Sequence, residues 1–236
     1  MILAMIRIML FAAALLLSAA PAPAAERRYS VTGFERVQVE GPFAVTLQVG
    51  KSPSAIATGS PAALERLSLT VEGRTLRIRP NRSAWGAPPS PGEGGITITL
   101  STHELSAAIV QGSGSLEIDR AKGLRFDLSL SGSGRIAVAQ AQVDRLNLQL
   151  LGAGGVSIGG TAKQLRATVT GQGSLDGAKL VAEDADLTAD TSGTISFAAR
   201  RAAKVAASGA GDVIISGTPA CTLSGYGTGR VRCGAK

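Results

Sequence analysis

Along residues 110 to 233 apolar side chains alternate with polar ones, and a triplet of Gly-x-Gly form interrupts them at near-regular intervals. In order, the segments are VQGSGSLEI (110–118), LSGSGRIAV (130–138), LLGAGGVSI (150–158), VTGQGSLDG (169–177), ADTSGTISF (189–197), ASGAGDVII (207–215) and SGYGTGRVRC (224–233). The first triplet positions, 112, 132, 152, 171, 191, 209 and 227, are separated by 20, 20, 19, 20, 18 and 18 residues. A period of about 20 marks a solenoid, in which each repeat buries its apolar face by stacking on its neighbours.

Relative to the first triplet position, the same offsets are apolar in nearly every copy. Offset −4 holds Ala108, Leu128, Leu148, Ala167, Leu187, Val205 and Leu223, and offset +4 holds Leu116, Ile136, Val156, Leu175, Ile195, Val213 and Val231. Phe126, Leu146 and Leu165 at −6, with Ile118, Val138, Ile158, Phe197 and Ile215 at +6, extend the pattern. Period two on both sides of the triplet predicts strands with one buried face. Continued through the triplet, the alternation places both of its outer positions inward and the middle residue outward. Two inward positions without side chains predict a sharp corner where neighbouring walls approach closely. A meander of Gly-turned hairpins is the alternative; equal repeat length and unreset alternation favour the solenoid. A coil of about 20 residues has a perimeter near ~66 Å, which suits a narrow three-sided tube with no room for an internal ligand.

The earlier part reads as a degenerate copy of the same unit. Val37, Val39, Val45 and Leu47 stand at −4, −2, +4 and +6 from Gly41, and two more alternating runs flank Glu72-Gly73-Arg74 between Leu67 and Ile78. Residues 25–80 are therefore expected to form an N-terminal β module continuous with the repeats of 96–236. Between them, 81–95 is rich in Pro and Gly, holds the single tryptophan Trp85, and predicts an exposed loop. Residues 1–24 read as a signal peptide, with Arg7 before the apolar run Ile8 to Ala20 and Ala22-Pro23-Ala24 as the small-x-small cleavage pattern. A cut one residue later, before Glu26, fits nearly as well. The run is short for a membrane span. An exported chain, neither an integral membrane protein nor a lipid-anchored one, is expected in the periplasm or at the surface of a Gram-negative cell.

Gly41-Pro42-Phe43-x-Val45, then Glu72-Gly73-Arg74-Thr75-Leu76-x-Ile78, then serial Ser-Gly-Ser-Gly repeats resemble the auto-transporter adhesin head GIN domain family of exported bacterial proteins, over about residues 34–234. The resemblance implies an all-β, right-handed, three-sided parallel β-helix and an adhesin-like role, and carries no catalytic residues. The chain departs from the family's Gly-Ser-Gly-Asp form: only Asp212 fills the acidic position, where the other copies have Ser115, Arg135, Gly155, Ser174, Thr194 and Arg230.

Composition narrows the chemistry. The chain of 236 residues is 44% hydrophobic yet only 3% aromatic, with 30 glycines, which excludes a core built on large rings. Its one histidine, His103, leaves no multi-His metal site and few Ser/His/Asp or Cys/His arrangements; it reads as a surface or capping residue. Gly-rich β-rolls bind calcium with an Asp in every repeat, and one Asp does not make that ladder. Glu183, Asp184, Asp186 and Asp190 form a denser acidic stretch whose alternation reads as a solvated face. The formal net charge of +7 comes from scattered Lys and Arg without interleaved aromatics, which argues against nucleic acid.

No catalytic, cofactor or metal-binding residues are therefore assigned. Parallel β-helices also serve as polysaccharide lyases and hydrolases, but no paired carboxylates recur at a fixed column among Arg135, Asp144, Arg145 and Arg166. The expected function is a non-enzymatic interaction or structural module of the cell envelope, with a glycan-active enzyme as the alternative. Arg200, Arg201 and Lys204, on the arc between coils, are the candidates for contact with an anionic glycan or lipid headgroup. Cys221 and Cys233 lie at −6 and +6 of the last repeat, both inward, and a disulfide between them is expected in an exported protein. Walls diverging from Gly227 would hold these residues too far apart, so the last segment is expected to fold back as a hairpin or cap.

Overall fold

The computed structural model describes residues 25–81 and 95–235. The expected signal peptide and nearly all of the Pro/Gly-rich loop, Trp85 included, lie outside the described residues. The rest is an all-β solenoid of about six turns. Its elements in chain order are β1 (Ala25–Tyr29), β2 (Arg36–Glu40), β3 (Ala44–Val49), β4 (Ser54–Gly59), α1 (Pro61–Glu65), β5 (Leu67–Glu72), β6 (Thr75–Pro80), β7 (Thr97–Thr102), β8 (Ala107–Gly112), β9 (Ser115–Gly132), β10 (Arg135–Gly152), β11 (Gly155–Gly171), β12 (Ser174–Thr191), β13 (Ile195–Ala207), β14 (Val213–Gly217), β15 (Ala220–Ser224) and β16 (Val231–Ala235).

From β9 onward every coil pairs parallel with the next and in column. Phe126, Leu146, Leu165, Ala185, Ala203 and Cys221 are successive register partners, which is the −6 column. The hairpin alternative is thereby removed. The apolar columns are the core: Leu116, Ile136, Leu146, Leu150, Val169, Ile195 and Ile215 are at most 1% exposed. Side-chain size is compensated between the two columns nearest the arc, with Leu165 and Gly177 in one coil and Ala185 and Phe197 in the next. A Cβ at Gly177 would stand 3.1 Å from the Phe197 Cβ, so the large ring is accommodated by the missing side chain.

The corners differ from the expected parity. Gly114, Gly134, Gly154 and Gly173, the second glycines, are buried, but Gly112, Gly152 and Gly171 are exposed and Gly132 is half-buried. These four first glycines have φ between 102° and 117°, a left-handed conformation that turns the chain and resets the alternation. The second glycines answer to space instead: a Cβ at Gly154 would lie 2.6 Å from the carbonyl oxygen of Gly134 one coil below. The corners are stitched by backbone bonds such as Arg135 N–H to Gly114 O (2.9 Å) and Gly155 N–H to Gly134 O (3.1 Å). At the fifth corner Thr191 replaces glycine without positive φ. It points inward, 3% exposed, where its hydroxyl donates to Gly173 O (2.8 Å) and accepts from Gly193 N–H (3.0 Å).

The N-terminal module joins the same tube. β2, the Gly41 corner and β3 form a coil seated on β8 and β9, with Gly41 N–H donating to Gln111 O (3.0 Å) and Ser115 N–H to Phe43 O (2.9 Å). Beyond that coil β6 and β7 still stack parallel on β2 and β3, and the outermost strands turn antiparallel. β4 pairs antiparallel with β7 and β1 with β4, while β5 and β6 form a hairpin about Gly73. α1, with Ser60 accepting from Ala63 N–H as N-cap and Pro61 in the first turn, buries Ala63 and Leu64. This short helix follows a Ser-Pro start signal that the strand alternation around it obscures.

Candidate functional site

Arg200 and Arg201 lie on the arc of β13, and Lys204 lies on the adjoining wall. All three are exposed, but they do not form an uninterrupted cationic patch. The Arg201 guanidinium grips Asp184 of the preceding coil through both carboxylate oxygens, with Nε to Oδ1 at 2.7 Å. That hydrogen bond holds the Asp184 carboxyl below the usual carboxylate range and raises Arg201. One coil further back, Lys163 Nζ sits 2.8 Å from Asp144 Oδ1, and the contact raises the Lys163 pKa. On the wall, Asp127, Asn147, Arg166, Asp186 and Lys204 are successive register partners. Lys204 therefore stands beside Asp186, and Asp127 is held by Asn147 Nδ2 (2.7 Å) and Arg125 Nε (2.9 Å). Asp184 is thus not the purely solvated side chain that alternation suggests.

The arc encloses an open cleft of about 560 Å³, into which Arg145, Lys163, Glu183 and Arg201 project. It offers a mixed-charge surface whose exposed pairs are weak and screened by salt. Stacking at about 4.8 Å per coil is what brings these charges together, and sequence offsets of 17 to 20 residues were the available signal. The shortening of the coils from 20 to 18 residues hides it.

A shallow depression of about 490 Å³ on the opposite wall has a floor of small residues, Ala137, Ala139, Ser157 and Gly159, beside Glu117, Asp119 and Asp176. The Asp119 carboxylate accepts the backbone N–H groups of Val49 (2.8 Å) and Arg120 (2.7 Å), so it ties the N-terminal coil to the repeats. Asp176 Oδ1 accepts from Ala178 N–H (3.2 Å). Asp212, alone in its column, caps the Arg230 N–H at 3.0 Å. Among the described residues no three His, Cys, Asp or Glu side chains converge as a metal site. His103 is an exposed residue beside the buried Thr102, whose hydroxyl donates to Phe34 O.

Cys221 and Cys233 form a disulfide with a Cα–Cα distance of 6.4 Å. The bridge forms without a fold-back. β15 runs parallel to β13 and β16 parallel to β14, so the last segment is one more coil. Because every coil closes on itself through the arc, the −6 and +6 columns return to each other at its base. The sequence expectation treated the walls as an open wedge and omitted that closure.

No curated protein matches this chain. Among solved structures, the crystal structure of a putative adhesin from Bacteroides fragilis is similar with a TM-score of 0.81 and 21% identity, covering 89% of this chain and 96% of that one. A putative lipid binding protein from Parabacteroides distasonis gives 0.68 and 21%, covering 88% and 95%. A putative adhesin from Parabacteroides merdae gives 0.67 and 13%, again covering 88% and 95%. At these identities the likeness shows a shared fold. No helix among the described residues is long and apolar enough to cross a membrane. The family model described as "Putative auto-transporter adhesin, head GIN domain" matches residues 33–219, and with most of its length inside that match the chain belongs to this family.

Proposed function

We propose that the protein is an exported, non-catalytic module of the bacterial envelope that binds through the outer surface of its tube. The observation that carries this reading is the parallel column register, resumed after each bulge, which builds long walls and sets charges of both signs side by side along them. On the depression floored by small residues, Asp119 and Asp176 each accept backbone N–H groups, which leaves Glu117 without a second free carboxylate for general acid–base chemistry there. Family membership and the adhesin and lipid-binding descriptions of the similar structures support a surface partner.

The contact surface is the arc and wall around Arg200, Arg201 and Lys204, meeting an anionic headgroup or glycan. With Arg201 held by Asp184, Arg200 and Lys204 are the residues offered outward. The test is flotation with phosphatidylglycerol vesicles against phosphatidylcholine vesicles, and co-sedimentation with an anionic polysaccharide, at low and high salt. Retention on an anionic probe that falls with salt and with Arg200→Ser/Lys204→Ser supports the reading. Equal retention by the variant removes the contact surface, and glycan cleavage by the protein removes the non-catalytic reading.

A further inference from the structure

The two ends of the tube are finished differently. At the N-terminal end β6 still stacks parallel on β2, but the outermost strands β1 and β5 run antiparallel to β4 and β6, and α1 packs Ala63 and Leu64 into the core. At the C-terminal end, among the described strands, β15 pairs only with β13 and β16 only with β14. The outward edges of both strands therefore present backbone N–H and C=O groups that no described strand meets, the arrangement that accepts an added strand. The inward face is open too: Leu223 is 51% exposed, while its column neighbours Val205 and Leu187 are 2% and 1% exposed. The disulfide holds the two walls of this open coil together at their base.

Charge decides what fits. Residues 213–235 contain two arginines, Arg230 and Arg232, and no Asp or Glu. Within the tube two exposed cations meet carboxylates on the preceding coil, Lys163 with Asp144 and Arg201 with Asp184. Arg232 has Ile214 as its column neighbour, and the Asp212 carboxylate is engaged by the Arg230 backbone N–H. The next position in both columns, outside β16, is where an acidic side chain would complete the pattern.

We propose that the C-terminal edge of the tube binds an extended acidic segment of a partner polypeptide as an additional parallel strand. The segment alternates, placing apolar side chains over Val231 and Cys233 and acidic ones beside Arg230 and Arg232. A second copy of this chain fits poorly. A two-fold end-to-end contact sets these arginines against themselves, and a head-to-tail contact brings them to β1, which carries Arg27 and Arg28 beside a single acid, Glu26.

The experiment is an NMR titration of the oxidised protein with a blocked ten-residue peptide alternating Val or Thr with Asp or Glu. Its controls are the same peptide with Lys at the acidic positions and an N-methylated form unable to pair its backbone. Expected are shifts confined to residues 220–235, at least fivefold weaker binding of the Lys peptide, loss of binding on N-methylation, and reversed charge preference in Arg230→Glu/Arg232→Glu. Each good cross-strand charge pair contributes a few-fold in affinity, which sets that scale. Equal binding of the acidic and Lys peptides, shifts centred on other coils, or no shift overturns the proposal. So does a doubling of mass in light scattering that the Arg230→Glu/Arg232→Glu variant abolishes, since a second copy would then be the occupant.

Discussion

Removing the Cys221–Cys233 bridge should loosen one end of the molecule and leave the rest alone. The bridge closes a loop of sequence separation 12, and the loss of loop-closure entropy in the unfolded chain then corresponds to about 3 kcal/mol. The coil it closes buries little, because every residue of β15 is exposed and Leu223 is half out. In a stack where each coil contacts only its neighbours, that free energy belongs to the terminal coil and does not spread evenly. In Cys221→Ser/Cys233→Ser, amide hydrogen exchange in β15 and β16 should accelerate by roughly 100-fold, the factor equivalent to ~3 kcal/mol. Protection in β10 and β11, whose core columns are intact, should change by less than about threefold. A uniform loss of protection along the chain would refute the nearest-neighbour account, and no change in β15 and β16 would refute the role given to the bridge.

Other outcomes follow from the corners and the arc. Gly154→Ala places a Cβ 2.6 Å from Gly134 O and 2.8 Å from Leu130 Cδ2, so thermal unfolding should show a loss of about 2 kcal/mol or more, whereas Ala153→Ser at the exposed corner tip should be near neutral. Thr191→Val leaves Gly173 C=O and Gly193 N–H without their hydroxyl partner and should cost about 1–3 kcal/mol in denaturant unfolding, while Thr191→Ser should cost less. Asp184 is held below its ordinary range by Arg201, so the pair contributes above the unfolded carboxylate pKa and is lost as pH falls through the folded value. Carboxyl NMR titration should show the Asp184 midpoint rising in Arg201→Gln, with no measurable change in melting temperature at neutral pH because the pair is exposed.

The repeat, its parallel stacking and the buried columns were legible because period-two alternation at fixed offsets is a local signal that survives from coil to coil. Gly41 could be aligned with the later corners for the same reason, although 71 residues separate it from Gly112. The corner parity was misread because sequence alternation carries no dihedral information, and a φ of 117° at Gly132 shifts the face count by one. The antiparallel end strands and α1 were hidden because pairing direction depends on distant partners such as β4 with β7. The charge pairs across the arc required the register, and bulges between Val138 and Ala141 and between Gly177 and Val181 displace it from a constant offset. Function was the least legible, since charged side chains that meet only through the stacking of coils form no motif along the chain.

Both proposed surfaces require the corners to stack in parallel, and that is open to one distance measurement. Nitroxides attached through ketone-bearing residues at positions 133 and 192, the tips of corners three coils apart, leave the cysteines untouched. At about 4.8 Å per coil the tips should lie about 14 Å apart, widened only by the label arms, in electron paramagnetic resonance. A narrow distribution near that value is the predicted result; a separation of twice that, or a broad distribution, would contradict the stacked tube and the surfaces assigned to it.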